Sequence, residues 1–126
     1  MIYYHNPRCS KSRKGLEILE KNKAEAKIKL YLSEKMTFNE IKEIIRKLRI
    51  KPIQLVRTKE KIIKEENINF DHMTDIEIIN TLVRYPILIE RPILVTKNKA
   101  ILGRPPELIE NILWKAIFLI KISKKI

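Results

Sequence analysis

A chain of 126 residues has room for one domain with one core of ordinary size, and its 44% hydrophobic and 33% charged content excludes a disordered or fibrous protein. The net charge of +12 invites a nucleic-acid reading, but 19 Lys stand against 8 Arg, spread along the whole chain, beside 24 Ile, 4 Ala and 2 Gly; this is the pattern of an AT-rich genome rather than of a phosphate track, and no nucleic-acid partner is expected. One cysteine, Cys9, excludes an internal disulfide, and Cys9 with His5 and His72 falls short of the four ligands of a structural zinc site, so no metal is expected.

No apolar run reaches the about 18 residues of a membrane span, and the start lacks the apolar stretch of a secretory signal. A cytoplasmic protein with no membrane partner is expected. Residues 1–4 are short, apolar and β-prone, and predict a first strand. His5-Asn-Pro-Arg-Cys9-Ser-Lys-Ser-Arg13 is polar and turn-like, and from there a helix should run to about Asn22 with Leu16, Ile18 and Leu19 inward. The alternation in 28–32 predicts a second strand. Thr37-Phe-Asn-Glu40 is a capping box opening a helix with Phe38, Ile41, Ile44, Ile45 and Leu48 on one face. Short helical pieces follow from Pro52 to about Glu66. Thr74-Asp-Ile-Glu77 is a second capping box, opening a helix that ends before Pro86. Residues 93–96 and 100–102 predict a hairpin turning at Lys97-Asn98. Pro105 and Pro106 suit a helix start, and Leu108, Ile109, Ile112, Leu113, Ala116 and Ile117 share one helical face. The Lys-rich tail, 121–126, reads as a solvated helix end. Strands interleaved with helices predict an α/β fold in which helices cover a mixed sheet.

Cys9 follows a strand and opens a helix. There the unpaired N–H groups and the helix dipole favour a thiolate, with Arg8, Arg13 and His5 as nearby sources of positive charge. The same N–H groups suit an oxyanion. The spacing is Cys-x3-Arg, not the Cys-x5-Arg loop of tyrosine phosphatases. There is no Cys-x-x-Cys, so a resolving thiol must come from outside.

The Cys9 loop, Glu90-Arg91-Pro92-Ile-Leu-Val-Thr96, Gly103-Arg104-Pro105-Pro106-Glu107 and the Leu55-Val-Arg57 region, running in this order, resemble the glutathione- and glutaredoxin-linked arsenate reductases. The resemblance implies a thioredoxin-like fold, as a single domain over 1–126 with a helical insertion at about 33–86. It implies a cis Arg91–Pro92 bond. It implies Cys9 as nucleophile, Arg57, Arg91 and Arg104 as ligands of the arsenate oxyanion, and His5 as a tuner of the thiol. It also implies glutathione as co-substrate, a glutaredoxin as partner, no tightly bound cofactor, and a monomer. Ser10 and Ser12 read as helix-capping residues, and Lys11 and Arg13 as either site-lining or solvated. Two alternatives stay open. One is a glutathione-dependent reductase of thiols or another oxyanion on the same scaffold. The other is a redox regulator of the Spx type that binds RNA polymerase, although those proteins typically carry Cys-x-x-Cys and depart from the Arg-Pro-x-Glu segment kept here at Arg104–Glu107.

Overall fold

The computed structural model describes residues 1–114, which form two units: Met1–Leu30 together with the chain from Arg91 onward, and Tyr31–Glu90. The first unit is built on a four-stranded sheet in the order β2-β1-β3-β4. β1 (Ile2–Tyr4) runs parallel to β2 (Lys27–Lys29) and antiparallel to β3 (Ile93–Val95), which pairs antiparallel with β4 (Ala100–Leu102). A parallel neighbour requires a crossover, and α1 (Ser10–Lys21) supplies it between β1 and β2. The mixed sheet with flanking helices is the thioredoxin-like arrangement expected.

Side chains of opposite strands meet across one face, where Tyr3 and Leu94 are direct partners. Ile18 and Leu19 of α1 and Ile109, Ile112 and Leu113 of the last helix (α5, 108–114) close over them, and all seven side chains are buried. At about 1.5–3 kcal/mol for each large apolar side chain removed from water, this cluster is the main support of the first unit. Gly15 allows the close approach of α1 to β1: a Cβ there would overlap the Tyr3 hydroxyl and stand 2.8 Å from Ile109 Cδ1.

The second unit is helical. It holds α2 (Phe38–Leu48), α3 (Ile62–Glu65) and α4 (Asp75–Arg84), with 3-10 turns at Pro52–Leu55, Phe70–His72 and Pro86–Leu88. Both capping boxes form. Thr37 Oγ1 accepts from the Glu40 N–H at 3.1 Å while the Glu40 carboxylate accepts from the Thr37 N–H at 3.2 Å. Thr74 and Glu77 repeat the exchange. Each cap contributes about 1 kcal/mol. The buried faces of α2 (Ile41, Ile44, Ile45) and α4 (Ile78, Ile79, Leu82) pack together.

Several boundaries differ from the sequence reading. α1 begins at Ser10, so Ser10–Arg13 is the first helical turn and not part of the loop. β2 covers 27–29 rather than 28–32. β1 is three residues long, and the last backbone bond of the parallel pair, from His5 N–H to Lys29 C=O at 2.9 Å, comes where β1 turns into the Cys loop. Tyr31 is buried in a turn instead. α5 starts at 108, after a tight turn through Pro105–Glu107, rather than at the prolines. Ala116, Ile117 and the 121–126 tail lie outside the described residues. Among the described residues no helix is long and apolar enough to cross a membrane.

Candidate active site

Cys9 sits where β1 gives way to α1, at the N-cap of the helix, with extended backbone (φ −94°, ψ 122°). The loop holds it from both sides. The Cys9 N–H donates to the Asn6 carbonyl at 3.0 Å, and the Cys9 carbonyl accepts from Arg13 N–H at 3.0 Å. Asn6 Oδ1 accepts from the Arg8 N–H at 3.0 Å, closing the turn over Pro7. No acidic residue lies in the first turn of α1, so nothing offsets the positive end of the helix.

The half-buried sulfur is subject to opposed influences. Burial pushes the thiol pKa up. The first-turn backbone at Ser12, the Arg91 side chain with its charge, and the backbone at Lys11 favour the anion, and together they outweigh burial: the thiol lies below its ordinary range. A thiol so depressed is prepared to act as the anion.

Arg91 thus takes the place that sequence proximity gave to Arg8 and Arg13. The Arg13 guanidinium donates instead to the Pro7 carbonyl at 2.9 Å, fastening the loop, and Arg8 is exposed. His5 corrects the same expectation. It is 5% exposed, and burial, followed by the charge of Arg13, lowers its pKa, so the ring is neutral and adds no charge at neutral pH. Its Nδ1 meets Ser12 Oγ at 2.7 Å, and its ring stacks on Tyr3 at 5.6 Å between centroids.

Arg91 precedes Pro92 across a cis bond, as expected, and a second cis bond joins Arg104 to Pro105. The two Arg-Pro segments are tied to each other: the Gly103 N–H donates to the Pro92 carbonyl at 2.8 Å, and the Arg104 guanidinium reaches the Arg91 carbonyl at 3.5 Å. A Cβ on Gly103 would stand 2.9 Å from both Pro92 Cγ and Ile109 Cδ1, so the close approach of these segments requires glycine. Cys9, Arg91 and Arg104 are therefore brought into one neighbourhood of the first unit. Arg57 belongs to the second unit, where its guanidinium pairs with Glu60 at 2.9 Å and Glu90 at 3.9 Å. The segments carrying Arg57 and Glu90 are joined there at an isolated bridge, Val56 opposite Ile89, by reciprocal bonds, Arg57 N–H to Leu88 C=O and Glu90 N–H to Leu55 C=O.

Sequence reasoning missed the part played by Ser12. The residue is fully buried, its hydroxyl also accepts from the Asn6 N–H at 2.9 Å, and its carbonyl accepts from the Tyr3 hydroxyl at 2.6 Å. The signal lay in the spacing: a serine three residues after an N-cap has its N–H aimed back at the cap side chain.

The comparisons with known proteins agree with one another. The profile of the ArsC family matches residues 4–112. An arsenate reductase of Haemophilus influenzae is 40% identical over 114 residues, 90% of this chain and 98% of that protein. An arsenate reductase of Neisseria meningitidis serogroup A is 35% identical over 111 residues, covering 87% of this chain and 95% of that one. In structure, the arsenate reductase of Vibrio cholerae superposes with a TM-score of 0.81 at 34% identity, over 87% of this chain and 94% of that one.

Proposed function

Because the chain belongs to the ArsC family, we propose that it is an arsenate reductase working through Cys9. The observation that carries the reading is the lone thiol at a helix N-cap, with the free N–H groups of the first turn before it and its pKa drawn down by the Arg91 side chain. Arsenate is an oxyanion, and planar guanidinium forks bind such groups bidentately. Arg91 and Arg104 receive it, and the resemblance assigns Arg57 the same task.

In the reaction, the Cys9 thiolate attacks arsenic. An As–S bond forms and an As–O bond breaks, the oxygen leaving as water after protonation. The thiol of glutathione attacks next. The sulfur–sulfur bond it makes leaves an electron pair on arsenic, which passes from the +5 to the +3 state and departs as arsenite. The thiol of a glutaredoxin then takes over the mixed disulfide and returns Cys9 to its reduced form. The chain supplies orientation and charge compensation. With a single cysteine it cannot store the oxidising equivalents itself, which supports external thiols. In this reading the protein works in the cytoplasm, where such thiols are kept reduced, and as a monomer.

The test is a coupled assay of the purified chain with arsenate, glutathione and glutaredoxin. Turnover should require both thiol components, and Cys9→Ser should abolish it while the fold persists. Arg91→Ala and Arg104→Ala should each lose about 10–150-fold in kcat/KM, the value of a charge-assisted hydrogen bond. Full turnover with a thioredoxin system and no glutathione contradicts the thiol assignment. Undiminished activity in Arg104→Ala removes that arginine from the site.

A further inference from the structure

The hydrogen bonds behind Cys9 form a continuous path that begins on the first strand. The Tyr3 hydroxyl, carried on a side chain with no exposed surface, donates to the Ser12 carbonyl at 2.6 Å. The Ser12 hydroxyl accepts from the Asn6 N–H at 2.9 Å and engages His5 Nδ1 at 2.7 Å. The Asn6 carbonyl in turn accepts from the Cys9 N–H at 3.0 Å. Tyr3 also stacks on the His5 ring, so it touches two members of the path. Space for its hydroxyl exists because residue 15 has no side chain.

We propose that Tyr3 is a positioning residue for the Cys9 thiolate, acting through Ser12: its hydroxyl fixes the first turn of α1 against β1 and so holds the turn's N–H groups on the sulfur. The proposal rests on the reading of Cys9 as the nucleophile and not on arsenate as the substrate. A hydrophobic side chain fills a core equally well, so packing alone does not call for a phenol here. The hydroxyl is buried, and burial first, then its closeness to Cys9, keep it protonated. It therefore acts as a neutral donor throughout the range in which the thiol titrates. Three anchors then converge on one residue, Tyr3 on its carbonyl and His5 and Asn6 on its hydroxyl. The one polar group of Ser12 left over, its N–H, is a first-turn donor at the third position after the Cys9 cap, on the side of the cap side chain. A donor held on three sides keeps its aim without reorganising when the negative charge forms.

The experiment follows the rate of iodoacetamide alkylation against pH in the full chain, whose lone cysteine makes the readout specific. Arg91, the charged side chain that acts on the sulfur, is intact in every variant compared. Tyr3→Phe keeps the ring and its stacking and removes the hydroxyl. Its midpoint should move upward, and its rate at neutral pH should fall about 2–10-fold, the range of one neutral hydrogen bond. Ile112→Val trims the same core without touching the path, and should lower thermal stability with the midpoint unmoved. Should Tyr3→Phe not fold, Ser12→Ala and Ser12→Thr take its place: loss of the hydroxyl should raise the midpoint and threonine should restore it. An unmoved midpoint in folded Tyr3→Phe, an equal shift in Ile112→Val, or no difference between Ser12→Ala and Ser12→Thr overturns the proposal. None of these readouts involves arsenate, so a failure of the arsenate assay leaves the result intact.

Discussion

The Arg91 side chain draws the thiol pKa of Cys9 down, and the register of the sheet is what brings the two residues together. Tyr4, the last residue of β1, is paired with Ile93, the first of β3. The chain leaving β1 toward Cys9 and the chain entering β3 from Arg91 therefore occupy the same end of the sheet. A thiol near the start of the sequence thereby acquires its cation from much later in it.

Arg91→Ala should raise the midpoint of Cys9 alkylation and slow the reaction about tenfold at neutral pH, since a hydrogen bond to a charged group is lost. Arg91→Lys should recover only part, because a point charge lacks the guanidinium fork. The thiol's depressed pKa also has a sign for stability. Compared with Cys9→Ser, the wild type should gain stability as pH rises through the native thiol's pKa, with the gain complete above the unfolded value of about 8.5 and lost again on acidification. Equal alkylation profiles for wild type and Arg91→Ala would remove Arg91 from the thiol's surroundings.

His5 should weaken the fold in mild acid. Its native pKa lies below the ordinary 6.5, through burial first and the Arg13 charge second. As pH falls below the unfolded value, the unfolded chain takes up a proton that the native state refuses, and stability drops until the native pKa is passed. Urea unfolding between about pH 5 and 7 should show this slope in wild type and a shallower one in His5→Asn. Identical slopes would place the pH dependence elsewhere.

Gly15→Ala should lower the thermal midpoint, although alanine is the better helix former by about 1 kcal/mol. The new methyl meets the hydroxyl of a buried ring tied to Ser12, and relief of such overpacking costs about 1–3 kcal/mol. Removing the hydroxyl in Tyr3→Phe should reduce that cost, so the double variant should be more stable than the two single effects sum to. Additive effects would mean that the overlap is relieved by movement of α1 instead.

The Arg57–Glu60 pair should give a coupling of about 0.5–1 kcal/mol in a double-mutant cycle on stability. Its side chains are only 23% and 25% exposed, and Glu90 makes a second partner for the same guanidinium, so the pair stands above the ordinary surface ion pair. A coupling of zero would assign Arg57 no part in holding the second unit.

Much of this was legible because the signals are local. Thr37 with Glu40, and Thr74 with Glu77, mark helix starts through bonds that span three residues, and both formed. The hairpin around Lys97-Asn98 and the strand–Cys9–helix opening are equally local. What the sequence concealed depends on partners distant along the chain. The alternation of 28–32 describes a surface that alternates, but the length of β2 is set by the three residues of β1 beside it. Arg8 and Arg13 are near Cys9 in order, whereas Arg91 is near it in space. Burial neutralises His5, and burial is not written in a histidine's neighbours along the chain. Ser12 reads as a capping residue because nothing in the sequence announces that Tyr3, His5 and Asn6 all converge on it.

Ile109 has a consequence for how such a protein changes over generations. Its Cδ1 lies under Gly15 on the helix that carries the nucleophile, and under Gly103 beside Arg104. One methyl group is thus the spacer between the two segments. A lineage that lengthens or shortens that side chain alters the reach between sulfur and guanidinium while every charged residue keeps its identity. Adjustment of that reach has an address in the oily interior, at a position no survey of ionisable groups would visit.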